Sequence, residues 1–133
     1  MNPKFSIVND SHGFREVKRP ATGIAINRGE PVVVQFCLCF PFENYTAEQE
    51  QVLVFEAQKV RVEAQNANSE IASVHFHPLE FIYWDETDHK ITTASTHGTT
   101  PNLLTGRSLE DKDFSAGVPQ GATLLMTKTA QAY

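Results

Sequence analysis

The run Val74-His75-Phe76-His77-Pro78-Leu79-Glu80-Phe81-Ile82-Tyr83-Trp84 concentrates the residue types able to do chemistry. On an extended strand residues i and i+2 share a face, so His75 and His77 project the same way. Two imidazoles on one rigid support can hold a divalent transition metal, with a nearby carboxylate, Glu80, as third ligand. Glu80 has the opposite strand parity, and Pro78 is the residue able to break the pleat and rotate it into place. The competing reading is structural. The two histidines then form the polar face of an alternating strand whose other face, Val74 and Phe76, is buried. Beyond them Phe81 and Tyr83 share one face and Trp84 takes the other. One of these faces is core, and the other is a binding or subunit contact. His97, in His97-Gly98-Thr99-Thr100, stands at a loop mouth and joins Phe81, Tyr83 and Trp84 as a candidate binding residue; its simpler role is a solvated turn residue.

Other chemistry finds little support. The acidic runs Asp85/Glu86/Asp88 and Glu110/Asp111/Asp113 lack the ligand spacing of a calcium loop and read as solvated turns. There is no Gly-x-Ser-x-Gly elbow and no phosphate-cradling glycine loop. Cys37 and Cys39 lie in an apolar run and read as small buried hydrophobes, poorly spaced for a disulfide with each other. No catalytic set emerges.

The segment from His75 to Trp84 resembles the first motif of the cupin family: a strand with His-x-His, a Pro, a Glu and an apolar run. Phe114-Ser115-Ala116-Gly117-Val118-Pro119-Gln120-Gly121 is similar to that family's second motif, a Pro-x-Gly loop before a strand. The resemblance covers these two short stretches. It implies a metal held by His75, His77 and Glu80. The departures are specific. Glu80 stands one residue closer to His77 than the family pattern has it, no Gly precedes His75 at the expected distance, and Leu124 occupies the place of the second motif's histidine. A cupin site here is therefore degenerate, with His89 or His97 as the available replacement ligand.

The elements that must position these residues follow from composition and pattern. A chain of 133 residues is one domain by length, with residues 1–13 loosely ordered around the turn cluster Asn9 to Gly13. Nine Phe, three Tyr and one Trp supply enough burial to exclude a wholly disordered chain. A net charge of −5 with scattered basic residues disfavours nucleic acid and anionic membrane as partners. With no apolar targeting stretch and no run long enough to span a bilayer, the expected location is the cytoplasm.

Phe14 to Arg19 predicts a short edge strand. Val32 to Phe40, apolar on both faces, predicts a central strand. Residues 46–66 are double-valued. Thr46-Ala47-Glu48-Gln49 fits a helix capping box, whereas Lys59 to Gln65 alternates as a strand, with a bulge near Gln58 joining it to 51–55. Residues 79–95 predict a hairpin, 97–121 a loop-rich stretch, and 122–130 a final strand. The fold class is therefore mainly β, a single-domain antiparallel sandwich or jelly roll, with α+β as the alternative if 46–66 is a helix. The expected function is a non-catalytic binding or assembly module that forms a homo-oligomer or takes a protein partner. The alternative is a cupin-like metal protein or small-molecule enzyme using His75 and His77.

Overall fold

A computed structural model of the chain describes residues 3–8, 14–21, 23–65, 74–114 and 121–129. These residues form strands and no helix. In chain order the strands are β1 (Phe5–Ile7), β2 (Phe14–Arg19), β3 (Val32–Val34), β4 (Cys37–Pro41), β5 (Gln51–Glu63), β6 (His75–Phe76) and β7 (Phe81–Asp85). They continue with β8 (Lys90–Thr92), β9 (Thr96–His97), β10 (Thr100–Pro101), β11 (Leu103–Ser108), β12 (Lys112–Asp113) and β13 (Thr123–Lys128). The mainly-β antiparallel class expected from the pattern is the one the chain adopts.

The principal sheet runs β3-β4-β5-β13-β11-β7-β8, with β1 and β2 paired to β5. The sheet curls until its β8 end meets the chain leaving β5: Gln65 N donates to Ile91 O at 2.8 Å, and Ala64 bridges Ile91. Two small ribbons, β9-β10 and β6-β12, complete the architecture.

β5 organises the sheet because both its faces are apolar. Leu53 packs with Ile26 and Cys39 in a minor cluster, while Val54, Ala57, Val60 and Val62 enter the main core around Trp84, Phe40, Phe76 and Leu124. The change of phase requires irregular pairing. The register slips opposite Arg15/Glu16 and again opposite Met126/Lys128, where Gln58 and Lys59 are consecutively exposed. The bulge expected near Gln58 lies at this second slip. The helix alternative for 46–66 is overturned. Thr46 N and Gln49 Oε1 form the capping-box bond at 2.7 Å, but across a turn, because the β-branched residues that follow pair with four neighbouring strands.

Two further expectations are corrected. Val32 to Phe40 is a hairpin at one end of the sheet, not one central strand: β3 turns into β4 at Gln35-Phe36, whose φ angles are 49° and 64°. Left-handed backbone at both central residues matches the hairpin turn usually written Asn-Gly. The stretch 97–121 was expected to be loop-rich, yet β11 sits inside the sheet between β13 and β7. Gly106 marks close approach rather than a turn, since a Cβ there would lie 1.8 Å from Thr127 O. Within 1–13, Phe5–Ile7 pairs with β5 and Phe5 is buried, whereas the turn cluster Asn9 to Gly13 lies outside the described residues.

Candidate functional site

The β3–β4 turn carries Phe36, which is 76 % exposed. A bulky side chain in left-handed backbone is sterically costly, by roughly 1–2 kcal/mol per residue. Phe36 overhangs an apolar groove of about 640 Å³ whose walls are Val33, Trp84, Pro101 and Leu103, with Glu86 and Asn102 as polar edges. β7 supplies Trp84, buried on the core side of the sheet, and the β7–β8 turn supplies Glu86. The indole Nε1–H of Trp84 donates to Glu86 Oε2 at 2.7 Å. Three separate parts of the chain therefore converge on one concave apolar surface: the β3–β4 hairpin, the end of β7 and the β10–β11 connection.

A polar network lies beside the groove, in the residues after Trp84. Asp85, 1 % exposed, closes the β7–β8 turn: its Oδ1 accepts the N–H groups of Thr87 (2.8 Å) and Asp88 (3.0 Å). Its Oδ2 accepts His97 Nδ1–H at 2.8 Å. Gln65 Nε2 donates to Asp88 Oδ2 (2.6 Å) and to Asp85 Oδ2 (3.4 Å), and Thr92 Oγ1 donates to Gln65 Oε1 (2.6 Å). Burial alone would raise the Asp85 carboxyl, but the bonds from His97, Asp88 and Thr87 outweigh it and hold the group below the ordinary carboxylate range. Ligand atoms of Asp85, Asp88 and His97 lie within 4.8 Å of one another, the one such group of three among the described residues.

The residues singled out in the sequence separate into three places. His75 and His77 share a face, with ring centroids 4.0 Å apart. His75 Nε2 pairs with Asp111 Oδ1 at 2.7 Å, and this hydrogen bond, against a smaller opposing desolvation, raises the imidazole above its ordinary value. Glu80 does not join them in a set of three converging ligand atoms. Phe81 is exposed and stacks under Arg107, whose guanidinium carbon is 4.1 Å from the ring centroid; Tyr83 is half-buried on the same face of β7. Trp84 and His97 lie on the groove side and in the network behind it. Leu124 is fully buried in the core, and 115–120 of the second cupin-like stretch lie outside the described residues.

Sequence reading missed Phe36, Asp85, Asp88 and Gln65. For Phe36 no local signal exists, because Gln-Phe is not a turn dipeptide. For Asp85 a signal was present: an aspartate ending a strand and followed by Glu-Thr-Asp is suited to accept the backbone N–H groups of its own turn.

No family model, characterised protein or solved structure matches this chain.

Proposed function

We propose that the protein is a non-catalytic binding module whose groove takes an apolar side chain of a protein partner. The observation that carries this reading is Phe36, a large aromatic held out to solvent in costly left-handed backbone directly over an apolar concavity. A strained, exposed aromatic does nothing for stability, and such strain concentrates where binding requires it. Aromatic and aliphatic anchors entering a desolvated pocket supply most of the energy at protein interfaces. Strand β2, which pairs only with β5, presents Arg15 and Lys18, and these are already paired with Glu56 and Glu50 within the chain.

The test is selection of peptides from a displayed library on the untagged protein, followed by binding to wild type and to Phe36→Gly. Peptides with an aromatic or aliphatic anchor, weakened at least about tenfold by the substitution, support the reading. Peptides that bind both proteins equally oppose it.

A second reading, metal binding, is favoured by one observation: the proximity of Asp85, Asp88 and His97. The amide of Gln65 already donates into the same space, so an ion there requires that amide to turn its oxygen inward while Thr92 switches from donor to acceptor. The cupin-like site at His75 and His77 has two ligands on one face. Native mass spectrometry of protein prepared without chelators separates the two: metal lost in His97→Ala marks the first, and metal lost in His75→Ala the second.

A further inference from the structure

We propose that Cys37 is a nucleophilic thiolate, poised by Lys128, that forms covalent adducts with small uncharged electrophiles. Lys128 is 1 % exposed, yet it carries an amine into the sheet interior between β13, β5 and β4. Its Nζ donates to Phe55 O at 2.9 Å and to Thr129 O, and lies 3.6 Å from Cys37 Sγ. Two of these partners are carbonyl oxygens, which only accept, and the third is a sulfur that donates as a thiol and accepts as a thiolate. The carbonyls take two hydrogens of Nζ, and one further proton lies between Nζ and Sγ. A buried ammonium needs an anion, and among these partners only the sulfur can supply one. Burial pushes the Lys128 amine down from its ordinary range, and the Cys37 sulfur opposes that shift.

Cys39 is the second thiol of the site. Its hydrogen bond with the Cys37 side chain, and then burial, push the Cys39 thiol up. The sulfur in contact with Lys128 is that of Cys37. The charged groups acting on this site from the surrounding strands are Lys128 on β13, Arg19 on β2 and Glu56 on β5, the last favouring the ammonium. Cys37 itself is half-buried, which admits small uncharged reagents in preference to bulky or charged ones.

In the reaction the sulfur lone pair forms an S–C bond as the bond from that carbon to its leaving group breaks. The leaving group departs with the bonding pair, and the proton remains on Lys128. The test alkylates the folded, untagged chain with iodoacetamide at pH 6.5 and 9.0, iodide being the leaving group, and assigns each adduct by peptide mass. An ordinary thiol reacts roughly 80-fold faster at pH 9.0, following its thiolate fraction. The rate at Cys37 is expected to change less than about 5-fold, and Lys128→Met to restore the ordinary dependence. An 80-fold rise at Cys37 in the wild type, no Cys37 adduct on the folded chain, or an unchanged profile in folded Lys128→Met overturns the proposal. If Lys128→Met does not fold, the wild-type profile decides.

Discussion

Trp84 and Glu86 are joined by an indole hydrogen bond of 2.7 Å, so the wall of the groove and its polar edge form one unit. Removing either end has a different cost. Glu86→Ala leaves an N–H that water at the groove mouth can reach, and is expected to lower stability by about 1 kcal/mol. Trp84→Phe removes the bond and part of a buried ring, and is expected to cost about 2–3 kcal/mol. Urea unfolding followed by far-UV circular dichroism checks both, and equal losses would contradict the division.

The Asp85 network makes stability depend on acid. A carboxyl held below its unfolded value contributes stability that is fully present above the unfolded value and lost as pH falls through the folded one. With the ordinary value at 3.8, stability should begin to fall near pH 4 and continue falling below it. Asp85→Asn aims an amide N–H₂ at His97 and Gln65, and is expected to cost about 2–3 kcal/mol at pH 7. It should also flatten the acid limb. Urea midpoints at pH 7 and pH 3 test this, and an unchanged acid slope in the variant would refute it.

Much of the frame was legible in the residues. β13, β2, the β7–β8 hairpin and the strand alternation of Lys59 to Gln65 follow from periodicity and turn chemistry. Three things were not. Val32 to Phe40 contains no turn residue, so its hairpin depends on tertiary pairing of β4 with β5 overriding local preference. Thr105-Gly106 is punctuation that means a turn in one context and close strand approach in another, and only the neighbouring Thr127 carbonyl distinguishes them. The network of Gln65, Asp85, Asp88, Thr92 and His97 is assembled by sheet curvature, which no local spacing encodes. Trp84 and His97 were named as binding candidates from the sequence, while the strained Phe36 opposite Trp84 was not.

The glycines provide a contrast in backbone and packing. Gly98 is left-handed at φ 60° with open space around it, so Gly98→Ala is expected to cost about 1–2 kcal/mol from backbone strain alone. Gly106→Ala drives a methyl into the Thr127 carbonyl, and is expected to cost at least about 3 kcal/mol or to prevent folding. Thermal melts of the two variants give the order, and the reverse order would remove the close-approach account.

His75 and Asp111 form an exposed pair, so its effect is on titration more than on stability. The raised imidazole contributes stability below its ordinary value of 6.5, which is lost as pH rises through the higher folded value. Asp111→Asn should bring the His75 titration down toward that ordinary value while leaving the melting temperature nearly unchanged. Proton NMR of the imidazole C–H against pH checks the direction, and a His75 titration unmoved by the substitution would contradict the pairing.

In the proposed binding role, Phe36 is held in strained backbone for the sake of its partner. Phe36→Gly relieves the left-handed strain and removes a side chain that touches little, so it should raise stability by about 1 kcal/mol, or roughly 3 °C in melting temperature. The measurement is the melting temperature of this variant beside its affinity for the selected groove-binding peptide. The first is expected to rise while the second falls at least about tenfold. A variant that melts lower and binds unchanged would contradict that role.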